Sequence, residues 1–109
     1  MFAFEIPGQR FSLPAGAAVE RCRFVSADAN SNGVTATAST PIIGVSMNKT
    51  AAGEVLEIAD GIVMVEAGGA VTAGVAVVSN GDGQAVTGEG TAVALTGATS
   101  VGELITVKL

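Results

Sequence analysis

The chain has no histidine, no tryptophan and no tyrosine, and one cysteine, Cys22. The side chains most used for proton transfer, nucleophilic attack and transition-metal binding are therefore nearly missing. The expectation is a protein that is not an enzyme and carries no cofactor and no metal. A lone cysteine excludes an internal disulfide and fits a cytoplasmic site of synthesis. As a small apolar thiol, Cys22 reads most simply as part of the core.

Positive charge is also scarce. Five basic residues against ten acidic ones give a net charge of -5 and a pI of about 4.4. A nucleic-acid face needs clustered Lys and Arg, so no nucleic-acid partner is expected. Three of the five, Arg10, Arg21 and Arg23, fall in the first 24 residues, which leaves an acidic body. No apolar run approaches the roughly 20 residues of a membrane-spanning helix. Glu5 and Pro7 interrupt what would be the apolar stretch of a signal peptide.

What remains is glycine and small β-formers. Fifteen glycines and an abundance of Ala, Val and Thr suit short strands joined by tight turns. Alternating apolar segments read as strands at 18–25, 33–39, 41–47, 54–58, 61–67, 75–79, 84–87, 91–95 and 103–109. Turn signals fall between them at roughly even spacing. The fold class is all-β, a small β-barrel or sandwich of short strands in one domain of 109 residues.

The chain also says something twice. "AAGEVLEI" (51–58) returns as "SVGELITV" (100–107), which superposes Gly53 on Gly102, Glu54 on Glu103, Leu56 on Ile105 and Ile58 on Val107. Further back, "PAGAAV" (14–19) is matched to "TAGVAV" (72–77) and "FVS" (24–26) to "VVS" (77–79), each followed by a turn rich in Asn, Asp and Gly. An internal duplication of this kind implies two β-meanders packed into one core.

Residues 1–13 stand apart from the β domain at 14–109. They hold Phe2, Phe4 and Phe11, three of the four phenylalanines, with Phe2, Phe4 and Ile6 on one side of an extended segment. Burying these groups gains less than ordering a dozen residues costs, so the arm calls for a partner surface or added strand pairing.

Three short motifs have plain readings. "DANSNG" (28–33) begins like a calcium loop, but position twelve is Ser39 rather than Glu, and Asn and Gly are also what hairpin turns require. "NKT" (48–50) is formally a glycosylation acceptor without a secretory signal. Lys49, close to Met47 and followed by glycine-spaced strands, is similar to the modified lysine of biotinyl and lipoyl carrier domains. Asn48 breaks the Met-Lys pairing of those domains, and a solvated turn lysine is the simpler reading.

The order of "PAGAAV", "PIIGVSMNKTAAGEVLEIADGIVMVEAGGAVTAGVAVVSNGDGQAV" and "ATSVGELITVKL" resembles the small capsid cement or decoration proteins of tailed bacteriophages, over about residues 14–109. The resemblance implies a β-barrel-like subunit on the outer surface of an assembled head, stabilising contacts between major capsid subunits. Its implied partners are the major capsid protein and further copies of itself, a trimer before a dimer, and its implied location is the virion. The arm supplies the candidate capsid-binding residues Phe2, Phe4, Ile6, Arg10 and Phe11, by strand addition or Phe insertion. Two other readings are a carrier domain modified on Lys49 and a β domain associated with a phage tail or fibre.

Overall fold

The computed structural model describes residues 3–109, and among them every regular element is a strand. They are β1 (Ile6–Pro14), β2 (Phe24–Ala27), β3 (Gly33–Thr35), β4 (Gly44–Ser46), β5 (Val55–Glu66), β6 (Ala76–Ser79), β7 (Ala85–Thr87), β8 (Ala92–Ala94) and β9 (Leu104–Lys108). All the ladders are antiparallel, in the order β3-β2-β4-β5-β9-β8-β6-β7, with β1 on the remaining edge of β5.

Strand β5 is the spine. Its first half pairs with β1 on one edge and with β4 on the other, and its second half pairs with β9 on the edge that β4 has vacated. The sequence divides this strand at residues 59–60, whereas the chain runs through without a turn. Gly61 makes the passage possible. It lies at φ +93°, and a Cβ there would stand 2.5 Å from the backbone nitrogen of Gly8 on β1. Segment 18–23 is not a strand, because Cys22 takes a left-handed φ of 61° and turns the chain.

Ladder register places the duplication. Val25 pairs with Thr35 and Val77 with Thr87; Val45 pairs with Ala59 and Val93 with Lys108; Leu13 pairs with Leu56 and Val65 with Ile105. The first half is thus β1 to the start of β5, and the second is the end of β5 to β9. Each curls toward closure through a parallel bridge, Ala15 to Gly33 and Ala67 to Ala85. The closing echo read from the sequence holds, but its earlier part needs correction. "PAGAAV" (14–19) matches "EAGGAV" (66–71), and Phe24 matches Ala76, one residue away from the alignment by identity. A slip of one residue reverses every side chain of a strand, so facing decides the match: Val25 and Val77 are both buried.

Backbone specials repeat with the fold. Cys22 corresponds to Gly74, Ser31 to Gly83 and Gly53 to Gly102, all at positive φ. The Asn-rich turns do so too. Asp28 Oδ1 accepts the N–H groups of Asn30 and Asn32 at 2.9 Å, and Asn80 Oδ1 accepts those of Asp82 and Gln84 at 2.9 and 3.0 Å. "DANSNG" is therefore a side-chain-mimicked turn, and its hydrogen bonds from Asn32 and Asn30 hold the Asp28 carboxyl below its ordinary pKa.

The halves differ in what they bury. Inside the first lie Ala15, Val19, Val25, Leu56 and Ile58, with Leu13 packed against them. The larger cluster inside the second includes Val63, Val65, Val77, Ile105 and Val107, and it also takes in Phe24, Ala36, Val45 and Ala59 from the outward side of the first half. Full burial of Phe24 contributes about 2–3 kcal/mol. A polar clamp crosses the same junction: Arg23 meets Glu66 at 2.7 Å and donates to the Asp82 carbonyl at 2.9 Å, while Gln84 donates to Glu66 at 2.7 Å.

Candidate interaction surface

Among the described residues the outward side of the second half is covered only where the amino-terminal segment crosses it, and register shows what lies on it. Residues directly opposite in a ladder share a face. Val93 on β8, Lys108 on β9, Ile62 on β5 and Ile6 on β1 therefore form one row across four strands. The next row outward-facing along β9 holds Leu95, Thr106 and Met64, since the Leu95 N–H donates to the Thr106 carbonyl at 2.8 Å and Thr106 pairs with Met64. Leu104 and Glu66 make the third. The face carries exposed Val93, Leu95, Leu104 and Ile6, with Lys108 as its cation.

The amino-terminal segment lies over the middle row. The Phe4 N–H donates to the Thr106 hydroxyl at 2.6 Å, and that hydroxyl donates back to the Phe4 carbonyl at 2.5 Å. Thr106 is thereby fully buried on an outward face. Phe4 is 38% exposed and so adds to the apolar surface of the face that carries Leu95 and Leu104, with Thr106 as a satisfied polar centre.

The sequence-predicted residues divide accordingly. Phe2 lies outside the described residues. Phe4 and Ile6, the latter 64% exposed, belong to the open outward face. Phe11 stands elsewhere, opposite Ile58 at the mouth of the first half, and is 38% exposed. Arg10 reaches Glu57 at 3.6 Å with both side chains more than half exposed, a pair worth little in stability. Of the two things the arm calls for, a partner surface or added strand pairing, the chain supplies the second: residues 6–14 pair along β5 as the first strand of the first repeat, and the division after Leu13 falls inside β1. A bulge between Pro7 and Arg10 lets it follow β5, fastened by Asp60, whose carboxylate accepts the Gln9 N–H at 2.9 Å.

Val93, Leu95 and Leu104 were not legible as surface residues. "TAVAL" is apolar at every other step on both faces, and the structure turns Ala92 and Ala94 inward and the larger Val93 and Leu95 outward. The signal was size: a small half-barrel has room for alanine inside.

Other candidates are structural. Lys49 meets Glu20 at 3.6 Å on the surface, in a turn that Asn48 fastens by donating to the Val55 carbonyl and accepting from the Glu57 N–H. Cys22 is buried, and loss of solvent raises its thiol pKa. Among the described residues no three His, Cys, Asp or Glu side chains gather as a metal site.

No family model and no curated protein matches the chain. Among solved structures, the fold is similar to that of the head fiber gp8.5 N base in bacteriophage phi29, with a TM-score of 0.74 at 19% identity over 91% of each chain.

Proposed function

We propose that this protein is a structural component of a phage virion, a decoration protein that binds the outer surface of the head and supports contacts between major capsid subunits. The observation that carries the reading is the open apolar face of Phe4, Ile6, Leu95 and Leu104 on a fold like that of a phage head fiber base. Large apolar side chains at the surface of a small domain mark an interaction site. The near absence of catalytic side chains gives the molecule little to do except bind, so it acts without enzymatic chemistry and without a cofactor. Binding is multivalent: many copies, each touching two or more capsid subunits, raise the cost of separating them.

Co-sedimentation with expanded, undecorated heads of the encoding phage tests this. The protein pellets with heads in a fixed ratio, and Leu95→Asp or Leu104→Asp remains in the supernatant while keeping the wild-type fold. Binding of both variants at wild-type strength removes this face from the account; failure of the wild-type chain to pellet removes the function.

The fold neighbour also favours a second reading, a base domain that anchors a head-attached fibre. The two differ in consequence. Heads saturated with a decoration protein release DNA at a higher temperature than bare heads, whereas heads carrying only fibre bases release it at the same temperature.

A further inference from the structure

Among the described residues, the chain contains one interface between repeats and two open surfaces that correspond to its two sides. Within the chain, the outward side of the first half, Phe24, Ala36, Val45 and Ala59, closes over the interior of the second, where Val63 and Val65 are fully buried. The same outward positions in the second half are Ala76, Gly88, Val93 and Lys108, of which Ala76 and Gly88 are half-buried and Val93 and Lys108 exposed. The same interior positions in the first half are Phe11 and Leu13, from the pairs Phe11 with Ile58 and Val63 with Val107, and they too are incompletely covered.

We infer that the outward side of the second half docks over the mouth of the first half of a second copy of this chain. The occupant follows from the molecule itself. A surface of this shape already receives a surface of that shape once in every chain, and repeat folds bury such faces by stacking units of the same kind. Side-chain size supports the match. Where the internal core holds large Phe24 and smaller Val63, the equivalent open positions hold small Ala76 and large Phe11. Apolar bulk has moved from one side to the other, as a packed interface requires. The contact joins unlike surfaces, so it assembles chains head to tail, and closes into a ring when the rotation permits. The inference uses the end of the Val93 row on β6 and β8, leaves the Leu95 and Leu104 rows to the proposed capsid contact, and needs no phage component.

Sedimentation equilibrium of the full chain tests it without heads. The wild-type protein associates as its concentration rises. Phe11→Asp and Val93→Asp, both at exposed positions, keep the wild-type circular dichroism and each weaken association by roughly thirtyfold or more, the effect expected for a central apolar anchor. Mixed in equal amounts, the two variants form a heterodimer and nothing larger, because the pair retains one intact mouth and one intact outward side. Ala76→Lys, at the position paired with Val93, repeats the Val93 result. A wild-type chain that stays monomeric, variants that assemble as wild type does, or a mixture with no heterodimer overturns the inference.

Discussion

The two repeats share strand order, register, turn chemistry and the placing of left-handed residues, yet one hides its outward side and the other displays it. The difference is carried by a few positions. Phe24, Val45 and Ala59 in the first half stand where Ala76, Val93 and Lys108 stand in the second. The first set is within 1% of full burial, and Val93 is 36% exposed. Duplication supplies the architecture. Divergence at the outward positions decides which half becomes core and which becomes surface, and the function proposed here resides on the half left open.

Changing residues at the junction breaks this comparison most strongly. Phe24→Ala copies the residue of the second half into the first and empties a fully buried site, with an expected loss of about 3–5 kcal/mol in chemical denaturation; a loss below about 1 kcal/mol contradicts the assignment of Phe24 to the shared core. The matched turn pair comes next. Gly83→Ser gives the second turn the residue of the first, but a Cβ there meets Thr35 Cγ2 at 2.7 Å and the Phe24 carbonyl at 3.0 Å across the junction, so a loss of about 2 kcal/mol is expected. Ser31→Gly, on the exposed turn, stays within about 0.5 kcal/mol of wild type, since relief of the left-handed strain offsets the added freedom of the unfolded chain. Equal effects at the two positions mean that the turns face the same surroundings, contrary to the structure.

Arg23→Val sharpens the comparison at the polar clamp, because Val75 occupies the equivalent position in the second half. Removing a largely buried partner of Glu66 costs about 1–3 kcal/mol, less than a fully enclosed pair because Gln84 still donates to the carboxylate. The smallest effect is on pH dependence. The Asp28 carboxyl is lowered by its turn hydrogen bonds, so its contribution is complete above the ordinary value of 3.8 and is lost as pH falls through the lower folded value. Asp28→Asn installs the chemistry of Asn80, retains the turn, and gives melting temperatures that decline less steeply on acidification; an unchanged acid slope excludes Asp28 from the pH response.

Most of the fold was legible because short strands and Gly-Asn turns announce themselves locally. Gly53-Glu54 and Gly102-Glu103 open equivalent strands, and the alternation after them survives in the structure as buried Leu56, Ile58, Ile105 and Val107. Long-range facing was not legible. The register of Phe24 against Val45 depends on pairing across the sheet, so identity alone placed the match one residue off. The amino-terminal strand escaped for a related reason: nearly all of β1 is exposed, and the pairing that orders it comes from β5, some fifty residues away in sequence. The open face was half visible, through Phe4 and Ile6, and half concealed in "TAVAL", where both faces are apolar and only side-chain size distinguishes them.

Cryo-microscopy of heads of the encoding phage saturated with this protein tests the central claim most directly. The account predicts one site class on the outer surface, with the Leu95 and Leu104 rows and the overlying Phe4 turned toward the capsid and their exposed area buried there. Density on the head with that face directed to solvent, or heads that carry no density at all, contradicts it.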